Sequence, residues 1–271
     1  SRGLGDVYKR QIQWVNNNPY SENQGIATSS WHITVPKDFS SYNIGDKVDW
    51  ANATYVPKET DFEPSKILEE GTKEREYYML CLKGLAAELQ KLQDANVPLI
   101  FRPLHEAEGG GGEAGSWFWW GKGGSENFKK LWVMMYDRYT NYWGLDNLIW
   151  VLGYSSNGNG YADWYPGDAY VDIAGADSYN DGSNAALYNK VKDVVGEERP
   201  ICFHECGRIP TVDQLTTTNA GWVWFMTWHT EHITDHNDTD TLNEIYNDDY
   251  VITLDELPDL YNTKENPAAE K

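Results

Sequence analysis

The sequence predicts an α/β fold built as a (β/α)8 barrel, and three observations lead to this prediction. Short apolar runs bounded by turn residues alternate with helical patterns along the chain, which indicates parallel strands joined by crossover helices. Each run is almost continuously apolar, as expected of strands that are covered on both faces. The glycine-rich stretch GGGGEAG (109–115) after the second run opens no helical pattern, so the closed barrel is favoured over a dinucleotide-binding open sheet.

Six runs have the length and composition of strands. They are GIATSSWHI (25–33), VPLIFRPLHE (97–106), NLIWVLGY (147–154), YVDIAGADSY (170–179), PICFHECG (200–207) and WVWFMTWH (222–229). A closed barrel of this type has eight strands, and the residues before Gly25 offer no further pair. We therefore expect the first two βα units to be missing from this chain.

Helical periodicity fills the intervals between the runs. Within residues 71–96, apolar side chains recur at steps of three and four residues, as on the buried face of a helix. These side chains are Tyr78, Leu82, Leu85, Leu89 and Leu92. A second helical pattern follows Ser125, which is a suitable N-cap, and a third covers residues 184–195.

The chain divides into a short leader and one domain. Residues 1–11, SRGLGDVYKRQ, show no periodicity and no relation to the rest of the chain, so we interpret them as a non-native leader. Residues 12–271 are predicted to form a single domain, because a chain of 271 residues with 40% hydrophobic content fits one core. The polar segment 36–71 is typical of an insertion that shapes a barrel mouth.

Composition limits the classes of partner. With 22 Lys and Arg against 42 Asp and Glu, the formal charge of −20 repels phosphate backbones and anionic membrane surfaces. We expect neither nucleic acid nor a membrane as a partner. The 13 Trp and 18 Tyr suit sugars, whose apolar ring faces stack on aromatic surface while their hydroxyls bond to acidic side chains. An aromatic core would explain the same composition.

Four polar residues fall at the C-terminal ends of their runs, where barrel enzymes keep their active sites. They are Glu106, Asp177, Tyr179 and Glu205. Hydrolysis of a glycosidic bond requires two convergent carboxyl groups, one protonated and one ionised. Taken singly, either glutamate could instead be a structural partner of Arg102.

Two patterns superficially resemble metal sites. His229, His232 and His236 have helical spacing, but the segment HTEHITDHNDTD that contains them has a loop-like composition. The stretch DHNDTDTLNE begins like a calcium loop, yet it lacks the glycine at the sixth position and the glutamate at the twelfth. We expect no metal and no cofactor.

Five motifs together resemble the β-mannanases of glycoside hydrolase family 26. They are SSWH (29–32), FRPLHEAEGGGGEAGSWFWWG (101–121), VDIAGADSY (171–179), FHECG (203–207) and FMTWH (225–229), in the order typical of that family. The resemblance implies a retaining endo-β-1,4-mannanase that hydrolyses mannan, galactomannan or glucomannan. In the family SSWH ends the third barrel strand, which agrees with the expected absence of the first two units.

The resemblance also implies roles for individual residues. Glu106 matches the acid/base and Glu205 the nucleophile, whose carboxyl groups lie about 5 to 5.5 Å apart in a retaining enzyme. Tyr179 matches the residue that orients the nucleophile. Substrate binding would fall to His32, His105, Trp117, Asp177 and Trp228. Because adjacent strand residues point to opposite faces, His105 and Glu106 can both reach the site only where the strand ends and turns.

Other activities remain open on the same framework. A mixed-linkage β-glucanase or a β-1,3-xylanase would need the same pair of acids, and a non-catalytic carbohydrate-binding relic would need only the aromatic residues. The expected partner is a β-mannan polysaccharide or oligosaccharide. We expect a monomer that works outside the cell or at the cell surface.

Overall fold

The computed structural model describes residues 4–16, 24–111, 115–258 and 260. Within these ranges the chain forms eight strands. They are β1 (Ala27–Trp31), β2 (Val35–Pro36), β3 (Ala53–Thr54), β4 (Leu99–Pro103), β5 (Leu148–Ser155), β6 (Ile173–Ser178), β7 (Ile201–Cys206) and β8 (Phe225–Thr227). The six predicted runs correspond to β1, β4, β5, β6, β7 and β8, so each of these strand predictions is confirmed. The short strands β2 and β3, which form an antiparallel pair at the start of the polar insertion, were not predicted.

The other six strands form one parallel sheet in the order β1-β4-β5-β6-β7-β8. Ala27 lies opposite Leu99, and Leu99 lies opposite Leu148, so the register continues from strand to strand. Sequential parallel order with helical crossovers is the arrangement of a (β/α)8 barrel wall. The sheet therefore agrees with the predicted partial barrel. Among the described residues, β1 and β8 each pair along one side only.

Seven α-helices lie in the described ranges. They are α1 (Leu4–Asn16), α2 (Lys73–Asp94), α3 (Gly124–Tyr136), α4 (Ala185–Val195), α5 (Val212–Thr218), α6 (Glu231–Thr234) and α7 (Thr239–Tyr246). The five apolar residues predicted for the buried face of α2 are all buried. The predicted cap of α3 is wrong: Ser125 lies inside the helix, because Gly123 and Gly124 make the preceding turn.

The predicted leader overlaps the first helix. Residues 1–3 lie outside the described ranges, whereas residues 4–11 are the first part of α1. The helix is attached to the sheet at its other end, where Val15 is fully buried and the Gly25 amide donates to the Trp14 carbonyl at 3.1 Å. The interpretation of residues 1–11 as non-native stays a prediction. The end of the predicted domain, residues 261–271, is also outside the described ranges.

Aromatic side chains fill the space between the sheet and its helices. Trp119, Trp120 and Trp132 are fully buried, and each indole N–H donates to a main-chain carbonyl at 2.6 to 3.0 Å. A buried indole requires such a partner, because an unpaired buried N–H is costly. Part of the aromatic excess therefore belongs to the core. None of the helices in the described ranges is both long and apolar enough to cross a membrane.

Alanine substitution at two glycines should change the stability of the fold in opposite directions. A Cβ at Gly175 on β6 would lie 2.3 Å from the Cys202 Sγ and 2.7 Å from its carbonyl oxygen, so Gly175→Ala should destabilise the fold by about 1–3 kcal/mol through overpacking. Gly84 lies exposed in α2 with open space around it. Gly84→Ala should stabilise the fold by about 1 kcal/mol. Urea unfolding of both variants checks the pair, and equal effects would contradict the packing between β6 and β7.

Candidate active site

A fully buried arginine draws three strands together at the C-terminal edge of the sheet. Arg102 of β4 donates through Nη1 to Glu205 Oε1 of β7 at 2.7 Å and through Nη2 to Asp177 Oδ2 of β6. Gly153 of β5 leaves room for this side chain, because a Cβ there would lie 2.6 Å from the guanidinium Nε. Two carboxylates and one cation thus share a site from which water is largely excluded.

The second oxygen of Glu205 has its own donor. The Tyr179 hydroxyl donates to Glu205 Oε2 at 2.9 Å, so both carboxylate oxygens accept a hydrogen bond. Burial, and then the adjacent Glu205 charge, raises the pKa of the Tyr179 hydroxyl. The hydroxyl therefore remains a donor. Tyr179 is 46% exposed, so Glu205 lies at the boundary between the buried cluster and the solvent.

An irregularity in β7 brings two consecutive side chains to the same site. Pairing shifts register between Ala176 and Asp177 on β6 and between Phe203 and Cys206 on β7. In a regular strand His204 and Glu205 would point to opposite faces, but potential ligand atoms of both lie within 4.8 Å of each other and of Asp177. Such bulges re-aim side chains near active sites.

Glu106 lies three residues beyond the end of β4, in a sharp turn. Leu104 and Glu106 have φ angles of 49° and 51°, the left-handed region that side chains adopt at an energetic cost. The Glu106 amide donates to the Gly153 carbonyl of β5 at 2.7 Å. The strand thus ends and turns before His105, which is the condition for both residues to reach the site.

The surroundings of Glu106 and Asp177 raise the pKa of both carboxyl groups. Burial is the main cause that raises the pKa of both groups; the Glu205 charge raises both further, and Arg102 opposes the rise. The excess of buried negative charge around these two carboxyls favours the protonated form of a carboxyl at this place. The cluster thus contains two carboxyl groups of raised pKa, Glu106 and Asp177, and a third, Glu205, which accepts from two donors.

The predicted histidines, His32 and His105, pack against each other. The rings of His32 and His105 pack edge-on with their centroids 4.5 Å apart, and Phe118 lies 5.6 Å from His32 and 5.0 Å from His105. Burial, followed by the nearby Arg102 charge, lowers the pKa of both imidazoles. Both rings are therefore neutral at physiological pH and can donate or accept hydrogen bonds.

The two predicted aromatic platforms lie on separate loops. The Trp117 ring covers Gly109, where a Cβ would lie 2.2 Å from the indole. Trp228 follows β8, and its amide donates to the Cys206 carbonyl at 2.9 Å, next to Glu205. Both indoles are half-buried, so each has an exposed part.

Three polar residues of this region were not assigned a site role from the sequence. Arg102 was considered only as a structural partner, although a lone arginine within the apolar run LIFRPL was a usable signal. His204 and Glu108 are also buried here. The bulge that redirects His204 and the fold of the loop that buries Glu108 leave no recognisable pattern in the sequence.

One set of metal-type donors occurs in the described part of the chain: Asp177, His204 and Glu205. The guanidinium of Arg102 already bonds to an oxygen of each carboxylate. A cation at this place would have to displace a buried arginine, so the arrangement suits an ion-paired cluster better than a metal centre.

Comparison with known proteins places the whole arrangement in context. Residues 8–256 match glycosyl hydrolase family 26. The chain is 36% identical over 244 residues to a mannan endo-1,4-beta-mannosidase of Thermothelomyces thermophilus, and 35% identical over 258 residues to mannan endo-1,4-beta-mannosidase B of Piromyces sp. These alignments cover 88% and 93% of the chain but 47% and 40% of the relatives. The chain therefore spans less than half the length of these curated relatives.

Solved structures give the same picture. A ruminal GH26 endo-beta-1,4-mannanase superposes with a TM-score of 0.86 at 40% identity, covering 93% of this chain and 54% of that one. A β-mannanase from a symbiotic protist of the termite Reticulitermes speratus, solved with a gluco-manno-oligosaccharide, superposes with a TM-score of 0.79 at 30% identity. That match covers 96% of this chain and 74% of the other.

The ion cluster predicts a large cost for losing its cation. Arg102→Met leaves Asp177 and Glu205 buried without their cation, which should lower the free energy of unfolding by about 3–5 kcal/mol. The loss should shrink as pH falls, because protonation removes the unpaired charges. Lys192→Met, which removes a largely exposed ion pair with Glu197, is the control and should cost about 0–1 kcal/mol. Urea unfolding at two pH values measures both, and equal losses would contradict the buried cluster.

Proposed function

The chain belongs to glycosyl hydrolase family 26, and from this membership we propose that it is a retaining endo-β-1,4-mannanase acting on mannan, galactomannan or glucomannan. The observation that carries the proposal is the pairing of a carboxylate held at both oxygens, Glu205, with a carboxyl of raised pKa, Glu106. Glycoside hydrolysis needs this division between an ionised and a protonated acid.

The reaction proceeds in two displacements. Glu205 attacks the anomeric carbon, the glycosidic C–O bond breaks, and Glu106 transfers its proton to the leaving oxygen. In the second step Glu106 takes a proton from water, the resulting hydroxide attacks the same carbon, and the bond to Glu205 breaks. Each step inverts the anomeric centre, so the product retains the original configuration.

The electrostatics of the cluster suit Glu106 to both steps. Before attack, the negative charge of Glu205 helps to raise the pKa of Glu106, which favours its protonated form. Once Glu205 is bonded to the sugar it no longer carries that charge. The pKa of Glu106 then falls, so the same carboxyl becomes an ionised base for the attacking water.

The remaining residues of the site would orient Glu205 or bind the sugar. Tyr179 and Arg102 fix the two oxygens of Glu205 in one orientation, which reduces the reorganisation needed for attack. We assign substrate contacts to the neutral imidazoles, to Asp177 and to the exposed parts of two indoles. These residues are His32, His105, Asp177, Trp117 and Trp228.

The proposed substrate implies where the protein works. A mannan polymer is too large to cross a membrane, so we place the enzyme outside the cell or at its surface. The relatives are named as mannan endo-1,4-beta-mannosidases, and one related structure holds a gluco-manno-oligosaccharide. We propose a monomer, since a formal charge of −20 opposes self-association.

A substrate panel tests the proposed activity. Release of reducing ends should be fastest from mannan or glucomannan and at least tenfold slower from mixed-linkage β-glucan and β-1,3-xylan. The reducing-sugar assay must be accompanied by affinity electrophoresis in the same polymers. Preference for the glucan or the xylan would replace the mannanase assignment, and binding without any hydrolysis would indicate a carbohydrate-binding relic.

The two glutamates should respond differently to the leaving group. Glu106→Ala should lower kcat on mannan by about 10²–10⁴-fold, because the leaving oxygen is no longer protonated. With a dinitrophenyl β-mannoside, whose leaving group needs no proton, the first displacement should recover in Glu106→Ala. Glu205→Ala should remain inactive on both substrates. Burst and steady-state kinetics measure the difference, and recovery in Glu205→Ala instead would reverse the two roles.

A further inference from the structure

A third glutamate of the same loop is buried beside the site. Glu108 follows Glu106 by two residues, is only 2% exposed, and accepts a hydrogen bond at Oε1 from the Ser155 amide at 2.6 Å. Ser155 is the last residue of β5. The proposed mechanism gives Glu108 no role. Buried carboxyl groups are uncommon, because burial disfavours their ionised form.

We propose that Glu108 is a positioning residue for Glu106, and that its side-chain carboxyl locks the loop after β4 onto the end of β5. The inference rests on the proposed function, since Glu106 is taken as the acid/base. Glu108 acts through the loop and is not assigned any contact with the substrate.

Two attachments to β5 hold this loop. The paired register of β4 and β5 ends at Phe101 and Trp150. Beyond it, the Glu106 amide donates to the Gly153 carbonyl, and the Glu108 carboxyl accepts from the Ser155 amide. The side chain of Glu108 thus takes the place of a strand carbonyl after β4 has turned away. This attachment lies two residues along β5 from the first.

The second attachment is also connected to Asp177. Ser155 is paired with Asp177 on β6, and the Ser156 amide donates to the Asp177 carbonyl at 2.8 Å. Glu108 therefore bonds to the strand end that is itself bonded to Asp177. Loss of this bond would loosen Glu106 relative to Asp177.

The fit around Glu108 is close. A Cβ at Gly158 would lie 2.2 Å from Glu108 Cγ and 2.5 Å from its Oε1. The loop closes behind the side chain, where the Gly111 amide donates to the Glu108 carbonyl at 3.1 Å. This enclosure fixes the rotamer of Glu108 and keeps water away from its carboxyl group.

The charges around Glu108 favour its neutral form. Burial raises its pKa to about 8, the Ser155 amide opposes the rise, Glu106 adds to it, and Arg102 opposes it. Tyr154 of β5 and Tyr161 are the other titratable groups facing it. The nearby cation, Arg102, bonds to Asp177 and Glu205. Among the described residues, no cation bonds to the carboxyl of Glu108.

Hydrogen exchange tests the locking without reference to catalysis. Glu108→Gln preserves an acceptor for the Ser155 amide, whereas Glu108→Leu removes it. We expect amide exchange in residues 104–111 to accelerate at least tenfold in Glu108→Leu and by less than threefold in Glu108→Gln. The control is Tyr161→Phe, which removes a nearby 2.6 Å bond to the Ser155 carbonyl and should leave this loop protected. Unchanged exchange in Glu108→Leu would overturn the proposal.

Kinetics and pH dependence complete the test. Glu108→Leu should lower kcat on mannan at least tenfold with KM within threefold, and Glu108→Gln should restore kcat. Because the folded pKa of Glu108 is raised, folding favours its protonated form, and this contribution fades as pH rises from about 4.5 through about 8. Glu108→Gln should therefore gain in Tm over the wild type as pH rises through that window.

The outcomes of these experiments distinguish the proposed mannanase activity from the positioning role of Glu108. An inactive wild type with the expected exchange and Tm changes would reject the mannanase assignment but keep the locked loop. An active wild type whose Glu108→Leu variant keeps full kcat would reject the positioning role. A Tm difference between Glu108→Gln and the wild type that does not change with pH would reject the buried neutral carboxyl.

Discussion

The burial of the Arg102 guanidinium is the constraint on which the site depends. A cation removed from water is costly unless it is paired, and the two Nη atoms of Arg102 are paired because Asp177 and Glu205 reach them from β6 and β7. That convergence explains why β5 carries a glycine at position 153 beside the guanidinium. It also accounts for the register shifts, which bring Asp177 and Glu205 into line. Ion pairing therefore sets the local geometry of three strands.

The cluster has more acidic than basic groups, and this charge imbalance helps to raise the pKa of two of its carboxyl groups. One guanidinium faces Asp177, Glu205 and Glu106, so three ionised carboxylates would leave an excess of buried negative charge. Burial and the neighbouring negative charge raise the pKa of Glu106 and of Asp177, whereas Glu205 accepts from two hydrogen-bond donors. A carboxyl of raised pKa beside a carboxylate with two donors thus follows from the charge balance of the cluster.

The sequence predicted the elements better than the details of the site. Continuous apolar runs identified all six strands of the parallel sheet, because burial on both faces leaves an unmistakable composition. The sequence singled out Glu106 and Glu205 because they lie at the C-terminal ends of barrel strands, where such enzymes keep their active sites. Glu108 was not found, since a glutamate in a glycine-rich loop looks exposed, and only the turn made by Leu104 and Glu106 folds it inward. Main-chain geometry of this kind is set by tertiary contacts.

The loop after β4 shows how strain at the site is supported by the fold around it. Two residues with positive φ are each destabilising, and so are buried carboxyls, yet the surrounding contacts over-determine the turn. Trp120 donates to the His105 carbonyl at 2.8 Å, within the strained segment, and is itself fully buried. The aromatic core thus fixes the turn from below while β5 fixes it from the side. The orientation of Glu106 is consequently a property of the packed interior, although the residue itself lies on a loop.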